Sequence, residues 1–237
     1  MIALLTGLAL GGPALWQEDS WQYRKDVGFY NTETGERKSP EELLTHGVTL
    51  ARERRTEEAL FVFSLLMTHG EDPQLRERAH FRKAEALYSG SRFLEAYQEF
   101  NAFLLRYPES RLADSVSGRA GAKELEMDAA LLLAREGHTE TFLLLPLVKS
   151  SKVGVELLRS ALQRHPREDF SDNYYLRLAH FFFSQEQYAD ADLEYKFILS
   201  EYKETESAPL ALLQLGEIGL KRFDHIDYDV KGLKNAR

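Results

Sequence analysis

The 237-residue chain contains no cysteine. This excludes disulfide bonds, thiolate metal sites, cysteine nucleophiles and lipid attachment through a cysteine. Basic residues are in the minority, because 30 Lys and Arg stand against 38 Asp and Glu, for a formal net charge of −8. The densest basic patch is short, from Arg52 to Arg55. A chain of this charge repels a phosphate backbone, so we do not expect nucleic acid as a partner.

The chain also lacks an apolar run long enough to cross a bilayer. Its longest apolar stretch is residues 1–15, whereas a spanning helix needs about 20 residues. Ile2 to Leu10 is similar to the apolar region of a signal peptide, and Gly12-Pro13-Ala14 to its cleavage site, although no Lys or Arg precedes them. We therefore expect residues 1–14 to be an export signal, with a buried N-terminal segment as the alternative.

Motifs whose chemistry can be recognised from residue spacing are missing too. The chain has no glycine-rich phosphate loop, no Gly-x-Ser-x-Gly elbow and no His-Glu-x-x-His pair. None of its seven histidines lies three or four residues from another, the spacing that places two imidazoles on one helical face. Acidic runs such as Glu124-Leu-Glu126-Met-Asp128 are typical of a solvated helix face. We expect no catalytic site, no metal and no cofactor.

After the signal-like segment comes an aromatic segment, residues 15–38, which has no helical periodicity. Turn-forming residues alternate there with Trp16, Trp21, Phe29 and Tyr30. This composition predicts an extended or hairpin-like arm. We expect its aromatic side chains to cover the apolar end of the elements that follow, with a ligand site as the alternative.

Helices are predicted from Ser39 onward. Ser39 supplies a capping hydroxyl, Pro40 suits the first helical position, and Glu41 and Glu42 lie near the positive end of the helix dipole. Further prolines lie between the apolar runs, where one helix is expected to end and the next to begin. These are Pro73, Pro108, Pro166 and Pro209.

Small residues recur along the helical part at one period. In the first helix of each predicted pair the intervals are 37, 37, 58 and 37 residues, at Gly47, Ala84, Gly121, Ala179 and Gly216. In the second helices the intervals are 37, 58 and 37 residues, at Ala59, Ala96, Gly154 and Ala191. One insertion of 21 residues between positions 121 and 154 explains both irregular intervals. Such a period predicts helix pairs that stack as a solenoid over residues 39–222.

Large side chains follow the second series at a constant offset. Four residues after each small residue come Phe63, Phe100, Leu158 and Tyr195. A small residue lets two helices approach closely, and a large one fills the layer between neighbouring pairs. We therefore expect the small residues, including Ala96, to be buried.

This pattern resembles the tetratricopeptide repeat, which has small residues at its eighth and twentieth positions, an aromatic at its twenty-fourth and proline at its thirty-second. The second repeat has Ala84, Leu87, Ala96, Phe100 and Pro108, and the fourth has Tyr175, Leu178, Ala179, Phe182, Ala191 and Tyr195. The period of 37 differs from the usual 34, and Leu43, His80 and Tyr175 replace the signature tryptophan. The resemblance implies an all-α, right-handed solenoid of about four and a half helix pairs.

A narrower resemblance concerns the whole chain. A signal-like start, an aromatic arm, 37-residue repeats and an enlarged third repeat are similar to the BamD family of outer-membrane-protein assembly lipoproteins. Two helix ends, Leu105-Arg106-Tyr107-Pro108 and Leu199-Ser200-Glu201-Tyr202, add to it. The resemblance implies an exported protein, periplasmic or associated with the outer membrane, that binds partner proteins on its repeats. The chain departs from the family in having no lipobox cysteine, and residues 223–237 would begin a further repeat.

We therefore predict a non-catalytic protein-binding scaffold of the cell envelope, in outer-membrane-protein assembly. One alternative is a cell-division or Tol-Pal-associated repeat protein, which would bring an N-terminal coiled coil, but residues 16–38 have no heptads. Another is a helical-repeat enzyme, which would need a deep pocket that gathers several titratable groups.

The predicted partner-binding residues are the outward positions of the first helices, which line the concave side of such a solenoid and suit a peptide or protein. They are Arg52, Arg78, Phe81, Glu85, Tyr88, Asn173, His180 and Phe183. For Phe81 and Phe183 the alternative is packing against a neighbouring repeat.

The insertion carries two further expectations. Arg111 to Glu136 has a helix-favouring composition without proline, so it predicts one long helix that ends at Gly137. The following stretch, His138 to Val148, is apolar but contains Pro146. Its apolar side chains either fold back onto the solenoid or stay exposed to dock a partner or touch a membrane surface. These are Phe142, Leu143, Leu145 and Val148.

Overall fold

A computed structural model describes the backbone of residues 20–142 and 145–224, and the side chains of 20–137 and 150–221. The signal-like segment 1–14, Trp16 and residues 225–237 lie outside the described residues, so the predictions for them are untested. The chain divides into two compact units, unit 1 within residues 1–91 and unit 2 within residues 92–237. Both are built mainly of helices, and consecutive helices pack against each other within each unit.

Unit 1 joins a small sheet to three helices. Strands β1 (Trp21–Arg24), β2 (Gly28–Asn31) and β3 (Arg37–Lys38) form an antiparallel sheet in that order. The helices are α1 (Pro40–Arg52), α2 (Thr56–His69) and α3 (Pro73–Ser89). Helix α2 packs against both α1 and α3, and α1 also contacts α3.

The sheet covers the first two helices. Trp21 is 2% exposed and Phe29 3% exposed, while β1 contacts α2 and β3 contacts α1. The Lys38 ammonium lies 5.0 Å from the centre of the Trp21 ring, a cation–π arrangement. The structure thus confirms that Trp21 and Phe29 cover the helices that follow them.

Helix α1 begins as the sequence predicts. The Ser39 hydroxyl accepts a hydrogen bond from the Glu42 backbone N–H at 3.3 Å, and the Glu42 carboxylate accepts one from the Ser39 N–H at 2.8 Å. Pro40 occupies the first turn. This reciprocal capping box satisfies two backbone donors that a helix would otherwise leave open.

Unit 2 contains six helices and one hairpin among its described residues. The helices are α4 (Phe93–Arg106), α5 (Ala122–Glu136), α6 (Lys152–Arg164), α7 (Ser171–Ser184), α8 (Tyr188–Glu201) and α9 (Ser207–Asp224). Strands β4 (His138–Phe142) and β5 (Leu145–Ser150) form the hairpin between α5 and α6. Helix α5 packs against α4 and α6, and α8 packs against α7 and α9. None of the helices in the described ranges is both long and apolar enough to span a membrane.

The predicted small and large positions of the second helices are buried. The large residues Phe63, Phe100, Leu158 and Tyr195 are each 0% exposed, and so are Ala59, Ala96 and Ala191. The burial expected at these second-helix positions is therefore confirmed, and the consecutive packing of the helices is compatible with a helical repeat.

The predicted helix from Arg111 to Glu136 is wrong in its first half. Helix α5 begins only at Ala122, and residues 107–121 form turns. Ser117 and Gly118 have φ angles of 52° and 78°, and Val116 and Arg119 exchange two backbone hydrogen bonds of 3.0 Å across them. Two successive left-handed residues make a tight hairpin turn and cannot continue a right-handed helix. The end of α5 at Gly137, with φ 74°, is as predicted.

The prediction that Gly121 lies inside a first helix is also wrong, since it precedes α5 as the N-cap. The small residues that face α6 lie further along α5. A Cβ added to Gly154 would lie 2.2 Å from the Ala134 backbone nitrogen, 2.6 Å from the Ala134 Cα and 2.8 Å from the Ala130 carbonyl oxygen. The turn of α5 from Ala130 to Ala134 therefore lies directly against Gly154 of α6.

The apolar part of the insertion forms the β4–β5 hairpin. The strands are antiparallel, and their register shifts between Glu140 and Thr141, so that Thr141 pairs with Pro146. A bulge of this kind accommodates a proline within a strand. The side chains of Phe142, Leu143, Leu145 and Val148 lie outside the described ones, so packing and docking both stay predictions.

Candidate interaction surfaces

Five of the predicted partner-binding residues lie in unit 1. Arg52 is exposed at the end of α1, and Arg78, Glu85 and Tyr88 are half-buried on α3. Phe81 is different, because it is only 1% exposed. Its side chain is part of the core, so the structure favours the packing alternative for Phe81. Phe81 is therefore not part of a partner-binding surface.

The other three lie on α7 in unit 2. Asn173 and His180 are exposed, whereas Phe183 is half-buried with its ring 5.5 Å from that of Tyr188 in an edge-on arrangement. Part of the Phe183 ring is therefore covered by Tyr188 of the same chain. The predicted partner-binding residues are therefore divided between the two units.

An ion pair connects α1 and α3. The Arg78 guanidinium pairs with the Glu41 carboxylate, which lies 37 residues earlier at the equivalent position of the preceding repeat. The hydrogen bond from Arg78 to Glu41 raises the pKa of Arg78, despite an opposing effect of burial. The first-helix positions of adjacent repeats are therefore in direct contact, as the repeat register requires.

Glu41 also lines two grooves beside the sheet. The first, the arm groove, has a volume of about 560 Å³. Phe29 and Leu75 form its apolar floor, and the Tyr23 and His69 rings stack beside it with centres 4.7 Å apart. The remaining lining is mostly polar or charged: Lys25, Val27, Gly28, Lys38, Ser39, Pro40, Glu41, Glu71 and Asp72.

The second, the helix groove, runs along α1 and has a volume of about 460 Å³. It is lined by Glu36, Arg37, Lys38, Glu41, Glu42, Thr45, His46 and Thr49. Burial lowers the pKa of His46, and the nearby cations Lys38 and Arg55 lower it further. The groove therefore presents alternating charges and a neutral imidazole, with Trp21 5.7 Å behind that ring.

Sequence reasoning missed both grooves. The alternation of aromatic and charged residues in 21–38 was the available signal. It favoured a cover for the helices and kept a ligand site as the alternative, but it did not place a groove. Folding adds the His69 ring and the Leu75 side chain from α2 and α3, which no spacing in the sequence connects to Tyr23.

A buried cluster of charges lies inside unit 2. The Glu126 carboxylate is 0% exposed, and the Arg164 guanidinium donates to it at 2.5 Å and to the Tyr97 hydroxyl at 3.1 Å. His165 Nε2 lies 3.4 Å from Glu126 Oε2, and neither atom has a hydrogen-bond partner among the described residues. Because the carboxylate is sealed between helices, the cluster fixes the packing of α4, α5 and α6. The prediction that Glu126 belongs to a solvated face is wrong.

Among the described side chains, those of residues 20–137 and 150–221, no three His, Asp or Glu residues are grouped as a metal ion would require. A scan against protein-family models finds no match, and a search of curated proteins finds no relative. The resemblance to tetratricopeptide and BamD-like proteins therefore rests on the repeat residues themselves.

Proposed function

We propose that this protein is a non-catalytic scaffold that binds other proteins through the exposed part of α1 and α3 and the two adjoining grooves. The observation that carries the proposal is the contact between Arg78 and Glu41. Arg78 belongs to the predicted partner-binding set, and Glu41 lines both grooves. The predicted surface and the grooves are therefore continuous within unit 1.

The lining suits a polypeptide partner. Phe29, Leu75 and the stacked pair of Tyr23 and His69 offer apolar contact, while charged side chains on the rim offer hydrogen bonds and ion pairs. An apolar floor with a polar rim is the usual anatomy of a protein interface. A segment that carries both an apolar side chain and charges of either sign would match it.

The setting of this scaffold is proposed from the resemblance. The helix pairs would stack as a right-handed solenoid of about four and a half pairs, supported by the recurrence of small and large residues at one period. The protein would be exported to the periplasm or the outer membrane and would act in outer-membrane-protein assembly. The support is the signal-like start and the BamD-like repeat features. Recovery of intact Met1 from a native cytoplasmic fraction would contradict export without affecting the binding surface.

Photo-crosslinking in cells tests the binding surface. A benzophenone amino acid in place of Thr45, in the helix groove, should give discrete crosslinked proteins. Reversing either charge of the contact, by Arg78→Glu or Glu41→Arg, should weaken these products, because the partner loses a charge it faces. Lys196→Glu is the matched control, since it reverses the exposed charge of the Lys196–Asp192 pair in unit 2. Products that persist unchanged in both reversed variants would overturn the proposal.

A further inference from the structure

Helix α9 has two apolar faces. Ala208, Ala211 and Ile218 are buried at 6%, 0% and 1% exposure, on the side where α9 packs against α7 and α8. The other side carries the α9 outer face, which consists of Leu212, Leu213, Gly216, Gly219 and Leu220. Its three leucines are 63%, 66% and 70% exposed. A helix that is apolar on both sides normally has neighbours on both sides.

The same repeat positions are buried in the earlier first helices. Gly216 corresponds to Gly47, Ala84 and Ala179, and all three are buried. The counterparts of Leu212, Leu213 and Gly219 are buried as well: Leu43, Leu44 and Leu50 in α1; His80, Phe81 and Leu87 in α3; Tyr175, Leu176 and Phe182 in α7. Most residues of the α9 outer face therefore occupy repeat positions that are buried in α1, α3 and α7, but in α9 these residues are open to solvent.

In α1 the second helix of the pair supplies the cover. A Cβ added to Gly47 would lie 2.7 Å from the Phe63 ring of α2 and 3.0 Å from Val62. For Gly216 and Gly219, no atom of the described residues lies within 4 Å of the added Cβ. Within the described part of the chain, α9 is thus a first helix without its second helix.

We propose that the α9 outer face binds an amphipathic helix from another polypeptide. The helix would run antiparallel to α9, as a second helix follows its first, and would place a large aromatic residue against Gly216, as Phe63 lies against Gly47. This surface lies in unit 2 and is independent of the function proposed above.

Charge defines the partner further. The end of α8 and the turn before α9 expose Glu201, Glu204 and Glu206 around a single Lys203, whereas Lys221 is exposed near the other end of α9. An antiparallel helix ends beside this acidic turn, so its last turn should be basic and its first turn acidic. Helix α4 of this chain has that polarity, with Glu95 in its first turn and Arg106 in its last.

Other occupants fit less well. The outer face of a second copy contains no aromatic side chain that could lie over Gly216 as Phe63 lies over Gly47. Residues 225–237 carry Tyr228 and Gly232 at the register positions where the other second helices have a small residue and a large one. Both occupants are outcomes of the tests below.

The first test asks whether the face is open in the full chain. The absence of cysteine makes a single introduced thiol unique. Leu213→Cys should react with a maleimide about as fast as Leu105→Cys, at a position 75% exposed in α4, at every protein concentration. Labelling of Leu213→Cys that is more than tenfold slower at all concentrations would assign the face to the chain's own residues and overturn the proposal. Slowing that appears only at high concentration would assign it to a second copy, also against the proposal.

The second test asks what the face binds. The probe is a fluorescent, hydrocarbon-stapled peptide of residues 92–107, which contains Phe100 and ends with a basic turn. Fluorescence anisotropy should show saturable binding to the full chain. Gly216→Trp, which fills the contact point, and Leu213→Ser should each weaken binding at least tenfold, while Leu105→Ser should not. Circular dichroism melting checks that each variant is folded. Equal binding of a scrambled peptide, or of Gly216→Trp and the unaltered chain, would overturn the proposal, as would no binding at all.

Discussion

The two units bring helices together at glycine in different ways. In unit 1, a Cβ on Gly47 would meet the ring of Phe63 and a methyl group of Val62, which are side chains. In unit 2, a Cβ on Gly154 would lie 2.6 Å from the Ala134 Cα and 2.8 Å from the Ala130 carbonyl oxygen, which are backbone atoms. Side chains can rotate away, whereas the backbone of a packed helix cannot. The α5–α6 contact is therefore the more rigid of the two.

Charged side chains show the same difference. In unit 1 the Arg55–Glu58 pair leaves 51% and 32% of the two side chains exposed. In unit 2 Glu126 is fully buried against Arg164, and Glu194 is 10% exposed with Arg159 at 2.5 Å. These pairs join α5 to α6 and α6 to α8. A buried pair specifies one register of its helices because a shift would leave a charge without its partner.

The largest effect is expected at the buried pair. Arg164→Met leaves the Glu126 carboxylate buried without its cation, and should lower the free energy of unfolding by about 3–5 kcal/mol. The double variant Glu126→Leu/Arg164→Met removes both charges and should recover most of that loss. Urea denaturation followed by circular dichroism measures both values.

Arg55→Met is the matched control, because it breaks an exposed pair and should cost less than about 1 kcal/mol. A loss at Arg164 no larger than that at Arg55 would show that the two units do not differ in this respect. A double variant as unstable as Arg164→Met would show that the loss comes from packing rather than from the stranded carboxylate.

A smaller effect is expected at the glycines. Gly154→Ala forces α5 and α6 apart and should cost about 1–3 kcal/mol. Gly47→Ala should cost less, because the Phe63 ring can turn. Gly216→Ala is the control: it places a methyl group where no described atom lies within 4 Å, and alanine should stabilise the helix by about 0.5–1 kcal/mol. Equal losses at Gly154 and Gly47 would contradict the difference in rigidity.

The repeat register could be predicted from the sequence because it depends on residue size at regular intervals. Ala96 and Phe100 are both fully buried, as their positions indicate. The start of α1 was equally predictable, since Ser39, Pro40 and Glu42 are neighbours in sequence. Contacts between near residues, or between residues one period apart, leave a pattern that a single sequence can show.

Other features depend on contacts that leave no such pattern. Glu126 and Arg164 are 38 residues apart, across the irregular third repeat, so the acidic run around Glu126 looked like a solvated face. The helix expected from Arg111 failed because composition outweighed one local signal, the Ser117-Gly118 turn. In the candidate site, the exposure of Arg78 follows from helix geometry. The arm groove, by contrast, depends on a contact between Tyr23 of β1 and His69 of α2, which are distant in sequence.

The smallest effect concerns pH and belongs to unit 1. Burial lowers the pKa of His46 below its ordinary value of 6.5, so the folded protein prefers the neutral imidazole. The unfolded chain then binds a proton more readily than the folded one, and stability falls as pH drops below about 6.5. His46→Gln, which cannot be protonated, should reduce the loss of unfolding free energy between pH 7.5 and 5.5. The reduction should stay below about 1 kcal/mol, because the half-buried ring is partly screened by solvent.

Burial also lowers the pKa of His180, so His180→Gln provides the corresponding change in unit 2. His180 is exposed, and burial alone lowers its pKa, without the nearby cations that act on His46. Its variant should therefore flatten the pH dependence less than His46→Gln does. Paired urea titrations at the two pH values compare the variants directly. If His180→Gln flattened the curve more, burial behind the sheet would not be the feature that makes unit 1 sensitive to pH.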